Sequence, residues 1–143
     1  MNNYFTIPGV PQGKARARTF YHKQANRVVS MTPEKTMLYE NLIKQCFLDS
    51  CEETYFDKEP LIMSIIAYFP IPKSTSKKDR LLIADGKLHP TKKPDADNIA
   101  KVICDALNGV AYGDDTQIIS LTVTKQYTIA EPNVTVYLNK AML

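Results

Sequence analysis

The run from Leu61 to Phe69, fenced by Pro60 before it and by Pro70 and Pro72 after it, constrains the fold of this chain most. It is far shorter than the ~20 residues a membrane span needs, and it reads as a buried strand. A strand apolar on both faces has to be covered by other elements, and the sequence offers two helices for that purpose. Thr32 is a good N-cap, with Pro33 at the first helical position and Glu34 in the first turn, and the helix is predicted to run to about Glu53. Met37, Leu38, Leu42, Ile43, Cys46 and Phe47 form its expected apolar stripe. After Pro94, Ile99, Val102, Ile103, Ala106 and Leu107 recur at helical spacing, and Asn108-Gly109 gives a stop. Phe5–Ile7, Ile119–Thr124 and Val134–Leu138 read as further strands, the last two by strict alternation. Short helices and strands thus interleave, which predicts a small single α/β (α+β) domain spanning 1–143, with one mixed β-sheet packed against two main helices.

A chain of 143 residues that is 44% hydrophobic and 23% charged can bury such a core without disulfides. Cys46, Cys51 and Cys104 form no C-x-x-C pair and read as free thiols in a reduced compartment. The opening Met1-Asn2-Asn3-Tyr4 has neither the charged nor the apolar part of a signal peptide, so a cytoplasmic protein with no membrane partner is expected.

The net charge of +3 says little until it is resolved along the chain. Residues 1–30 carry five basic and no acidic side chains, and residues 70–101 carry eight basic and four acidic; the segments between and after are net acidic. A polyanion would bind where the two basic segments meet. In Gly13-Lys14-Ala15-Arg16-Ala17-Arg18 the cations alternate, and in an extended chain they share one face. The second segment holds Lys73, Lys77, Lys78, Arg80, Lys87, Lys92 and Lys93; it is expected to be a mobile arm or lid over about 73–93, with a short helix over 76–84.

The polar residues that bear chemistry concentrate just beyond it. Asp95 and Asp97 open the second helix, either of them able to cap it, and Asp97, Lys101 and Asp105 fall at i, i+4 and i+8 on one stripe. Asp114 and Asp115 follow in the loop after that helix, which has to double back along ~16 Å of helix if Asp115 is to approach Asp95 and Asp97. Three carboxylates so gathered suit a hard cation such as Mg²⁺, which can activate water beside a phosphodiester, with Lys101 adding positive charge. Taken singly, each piece has a plainer use: a helix cap, a turn, an exposed ion pair. Other aspartate motifs fail. An EF-hand beginning at Asp95 needs Gly and Glu where Ala100 and Ala106 stand, D-x-D-x-[TV] fails at Ile99, and there is no P-loop or G-x-G-x-x-G.

Lys93-Pro94-Asp95-Ala96-Asp97-Asn98-Ile99, Lys101, Asp105-Ala106-Leu107-Asn108-Gly109, Tyr112 and Asp114-Asp115-Thr116-Gln117-Ile118 together resemble the RusA-type Holliday junction resolvases. The basic N-terminal motif and Met31-Thr32-Pro33 through Tyr39-Glu40 are similar to the phage and prophage branch of these crossover-junction endodeoxyribonucleases. Ala96 stands where the family usually has Ile or Leu, and Ala17 where the phage type has Pro. The resemblance implies a homodimer acting on branched DNA in a bacterial cell, with a Mg²⁺ site (Mn²⁺ as the substitute) in each subunit. It implies that Asp95, Asp97 and Asp115 are catalytic metal ligands and Lys101 the site lysine, with Asn98, Asp105 and Asp114 supporting. Lys14, Arg16, Arg18, Lys73, Lys77, Lys78, Lys92 and Lys93 would grip phosphates. The rival expectations are a non-catalytic junction- or single-strand-binding accessory protein and a Mg²⁺ enzyme acting on a small phosphate ester.

Overall fold

A computed structural model describes residues 3–142, the side chain of Arg18 excepted. The run that opened the sequence forms β4 (Leu61–Pro70) at the centre of a four-stranded sheet whose order is β1-β6-β4-β5, with β1 at Tyr4–Pro8, β5 at Ile118–Thr128 and β6 at Asn133–Lys140. β4 pairs in parallel with β5 and antiparallel with β6, and β6 pairs antiparallel with β1, so the sheet is mixed as expected. Leu61, Met63, Ile65, Ala67 and Phe69 point to a fully buried face, whereas Ile62, Ser64, Ile66 and Tyr68 stand on a face that is only partly covered. The strand is therefore buried on one side rather than both. The reason is that both long helices pack on the same face.

Those helices are α1 (Glu34–Ser50) and α3 (Ala96–Leu107), separated in sequence by β4 and by α2 (Lys77–Ala84). In α3 all of Ile99, Val102, Ile103, Ala106 and Leu107 are buried, as the stripe predicted. Helix α1 corrects its prediction on three points. It stops at Ser50; Pro33, at ψ 143, lies outside the helix; and no side chain caps it, Thr32 included. Its buried face is Thr36, Tyr39, Ile43 and Phe47, while Met37, Leu38, Leu42 and Leu48 remain exposed. A helix with apolar residues on several sides is oriented by its neighbours, here α3 and β1, rather than by its own pattern.

The basic N-terminal segment also differs from a single extended chain. It forms a hairpin, β2 (Arg18–His22) with β3 (Arg27–Met31), paired only to itself and turning at Asn26, whose φ is 52°. The 73–93 segment is built around α2. Ser76 Oγ caps it by accepting from the Asp79 N–H at 3.1 Å, and the Arg80 guanidinium donates to the carbonyls of Pro72, Lys73 and Thr75. Arg80 is thus an internal brace, while Lys73, Lys77 and Lys78 are exposed. No helix among the described residues is long and apolar enough to cross a membrane.

Candidate active site and nucleic-acid interface

Two neighbouring cavities lie along α3. The first, of about 270 Å³, is lined by Asp97, Ala100, Lys101, Cys104 and Asp105 from the helix and by Asp115 and Leu121 from the returning chain. The i, i+4, i+8 stripe is therefore one wall, and Lys101 Nζ lies 3.7 Å from the Asp105 carboxylate.

Asp115 reaches this wall because the chain reverses sharply after α3. Gly109, at φ +76°, takes the left-handed conformation that ends the helix, and its N–H donates to the Tyr112 carbonyl at 2.8 Å. Tyr112 is fully buried, and its hydroxyl donates 2.9 Å to the Cys104 carbonyl, tying the loop back beneath α3. Gln117 then fixes the turn: its Oε1 accepts from the Gly113 and Asp114 N–H groups, and its Nε2 donates to the carbonyls of Phe56 and Glu59. Asp114 Oδ2 accepts from the Thr116 hydroxyl at 2.8 Å and so belongs to the turn. Gln117 is a positioning residue that composition and spacing did not single out; its only sequence signal is a place in the motif after Asp115. Gln117→Ala is expected to cost about 2–3 kcal/mol in thermal unfolding, because it orphans the Gly113 and Asp114 N–H groups of the turn and the Phe56 and Glu59 carbonyls of the loop before β4.

Within this cavity partial burial pushes the Asp115 carboxyl above the usual carboxylate range, the charges of Asp114 and Asp105 push it further, and Lys101 opposes them. Burial likewise drives the Cys104 thiol up to about 11, with the Asp115 charge adding to it. Buried Cys51 also reaches about 11. Both are therefore thiols at neutral pH, consistent with cysteines that perform no chemistry. Alkylation at pH 8 is expected to be slow at both in the native protein and rapid after denaturation, as peptide mass spectrometry would show.

The second cavity, of about 690 Å³, is formed where the N-terminal segment crosses the starts of α1 and α3. Gly13 permits the crossing: a Cβ there would lie 3.0 Å from the Cβ atoms of both Pro94 and Asn98. The Lys14 N–H donates to the Asn98 carbonyl at 3.1 Å. Asp95 and Asn98 line this cavity together with Arg16, Lys35 and Lys93. Asp95 holds the N-cap position of α3 and its carbonyl accepts from the Ile99 N–H, but its carboxylate makes no capping bond.

The carboxylates are thus distributed rather than gathered. Asp97, Asp105 and Asp115 share one cavity and Asp95 opens on the other, and among the described residues no three metal-ligating side chains stand close enough to hold an ion as placed. Residues two apart at a helix start point in different directions, which is why Asp95 and Asp97 diverge.

Lys14 departs most from its expected role. Its ammonium lies 3.1 Å from Glu40 and 3.2 Å from Asp105, forming a chain Glu40–Lys14–Asp105–Lys101 that joins α1 to α3 between the two cavities. Burial alone would lower its pKa, but the hydrogen bonds and charges of both carboxylates outweigh this and raise it. Arg16, Lys92 and Lys93 are exposed, and among the described residues none of them pairs with a carboxylate. The side chain of Arg18 lies outside the described residues.

A family model described as Endodeoxyribonuclease RusA matches residues 8–139. A Bacillus subtilis (strain 168) protein, described as uncharacterized protein YqaN, is 34% identical over 138 residues, covering 95% of this chain and 94% of its own. The matched span takes in both cavities and every element from the N-terminal crossing to β6, and the chain belongs to the RusA endodeoxyribonuclease family.

Proposed function

We propose that this nuclease is a divalent-metal-dependent resolvase that cuts four-way DNA junctions by paired nicks, as a homodimer in the cytoplasm of its bacterial or phage-infected host. The observation that carries it is the single cavity shared by Asp97, Lys101, Asp105 and Asp115, with Asp95 at the head of the same helix. The donor set suits a hard cation in kind: it is all carboxylate oxygen, and a cation would offset the burial and the Asp114 and Asp105 charges that raise Asp115. Asp95, Asp97 and Asp115 would hold Mg²⁺, with Mn²⁺ as the substitute on the same oxygen ligands. When bound, the ion supplies an acidified water and charge compensation at the scissile phosphate.

The remaining work falls to the chain itself. Lys101 sets a positive charge at the cavity mouth, and Asp105 steadies it from one helical turn away. Ala100 and Leu121 supply an apolar wall. Exposed Lys73, Lys77, Lys78, Lys92 and Lys93 would hold phosphates of the arms without reading bases.

The uncovered face of the sheet supports the dimer. Its outward residues, on all four strands, include Tyr4, Ile62, Ile66, Tyr68 and Tyr137 and not one charged side chain. Such a charge-depleted, tyrosine-bearing surface has the composition of an interface core, and a second copy meeting it about a two-fold axis would supply the second cut.

A supercoiled plasmid extruding a cruciform tests the pairing. Two coordinated nicks yield linear plasmid directly, whereas independent nicks yield open circles first. The rival reading, a junction-binding protein without catalysis, is favoured by the separation of Asp95 from the other aspartates, and it expects neither product with any divalent metal.

A further inference from the structure

The β2–β3 hairpin stands outside the four-stranded sheet and pairs only to itself, yet it carries large apolar side chains. Cross-strand partners share a face, so Phe20, Val29 and Met31 lie on one side and Tyr21 and Val28 on the other. Phe20 is 43% and Met31 55% exposed, and both line a groove of about 460 Å³ completed by Thr32, Pro33, Glu34 and Lys35. Single exposed apolar residues are ordinary on a surface, whereas a phenyl ring, a thioether and a proline around one groove mark a binding face. The charge of the element says which partner fits it. Residues 15–33 carry Arg16, Arg18, Lys23 and Arg27 and no acidic residue. Among the described residues Arg16, Lys23 and Arg27 pair with no carboxylate. The groove itself is neutral, with Glu34 its one carboxylate and Lys35 its one ammonium. A ligand that offers an anionic backbone to the hairpin and a flat, uncharged ring to the groove is a nucleic acid with an unstacked base.

We infer that the groove beside Phe20 takes an unstacked base from the branch point of the DNA junction, stacked on the phenyl ring. The inference rests on the proposed nuclease function and adds a means by which branched DNA is told from duplex, whose bases are held within the stack. Stacking on an aromatic ring tolerates any sequence, because every base has a π-face. Met31 and Pro33 supply further apolar contact, the thioether being polarizable and adaptable. The groove is continuous with the approach to the aspartates: Pro33 and Lys35 line both it and the 690 Å³ cavity onto which Asp95 opens. The strand that leads into the hairpin is tied to α3 by the Lys14 N–H on the Asn98 carbonyl, and the strand that leaves it runs into α1. A base held at Phe20 therefore sets where its strand lies relative to α3.

The test compares binding of the full chain to a labelled four-way junction and to a linear duplex of the same sequence, by fluorescence anisotropy in EDTA. A second junction carries 2-aminopurine at the branch point, and wild type is expected to raise its emission as the base leaves the stack. Phe20→Leu keeps an apolar side chain and removes the ring. It is expected to weaken junction binding about tenfold and to abolish most of the emission rise. Duplex affinity and the salt slope should not change, since no charge is lost. Phe20→Tyr should restore both readouts, and Val28→Thr, on the opposite face of the hairpin, should alter neither. Wild-type junction affinity and emission in Phe20→Leu, with the junction still cut with Mg²⁺, would overturn this groove and leave the nuclease standing. So would an equal loss of duplex binding, the mark of a general backbone contact, or a change from dimer to monomer in sedimentation, the mark of a contact between copies. Failure of the wild-type protein to bind the junction at all would overturn both.

Discussion

Asp97→Asn and Asp115→Asn are each expected to reduce junction cleavage at least 100-fold while leaving junction binding within about threefold of wild type. The two side chains share a cavity with Lys101, and each loses one anionic oxygen for the cation without changing shape. Asparagine also removes a charge that repels the phosphate, so binding should hold or tighten. Stability supplies an internal control. The folded Asp115 carboxyl is raised by burial and by Asp114 and Asp105, so its ionised form opposes folding; that penalty operates above the folded pKa and fades as the pH falls through it. Asp115→Asn should therefore melt no lower than wild type at pH 7 in the absence of metal. Loss of cleavage together with a lower melting temperature would instead mean that the turn had been disrupted. Gel cleavage, anisotropy and thermal melts on the same preparations separate these outcomes.

Lys14→Met is expected to act on the fold rather than on DNA. Its ammonium neutralises Glu40 and Asp105, whose side chains are 16% and 29% exposed, so its removal leaves two partly buried carboxylates facing each other. A cost of about 2 kcal/mol, between that of an exposed and that of a buried ion pair, corresponds to a fall of roughly 6–8 °C in Tm for a chain of this size. Because the folded pKa is raised, the contribution is complete below the lysine's ordinary 10.5 and is lost only as the pH climbs through the higher folded value. The destabilisation should therefore be the same at pH 6 and pH 9. The phosphate-gripping role expected from the alternating cations predicts the reverse: an unchanged Tm and a salt slope shallower by about one. Glu40→Gln combined with Lys14→Met should recover part of the loss, since the pair is in contact.

The elements that the sequence displayed most clearly are those whose pattern and environment agree. Ile99, Val102, Ile103, Ala106 and Leu107 form the only apolar side of α3, so the helix can be buried in only one way. Pro60 and Pro70 bracketed β4, but nothing in the run of apolar residues told that Ile62 and Ile66 would face away from both helices. The β2–β3 hairpin was hidden because most of its described side chains are exposed and none of these is fully buried, leaving no inside–outside alternation to read, and its Lys23–Asn26 turn has no glycine.

At the site, the stripe Asp97–Lys101–Asp105 was legible because helical spacing alone makes it. The return of Asp115 was legible only as a requirement; the Tyr112 and Gln117 hydrogen bonds that accomplish it join residues up to 61 positions apart. The diversion of Lys14 depends on Glu40, 26 residues away on another helix, and no local pattern carries that.

Incubation of the purified protein with a four-way junction and with a linear duplex of the same sequence, each with and without Mg²⁺, tests the central claim most directly. The expected result is a pair of nicks placed symmetrically in opposite arms of the junction, dependent on Mg²⁺, with the duplex left intact. Equal cutting of both substrates, or tight junction binding with no cutting at any Mg²⁺ or Mn²⁺ concentration, would contradict it.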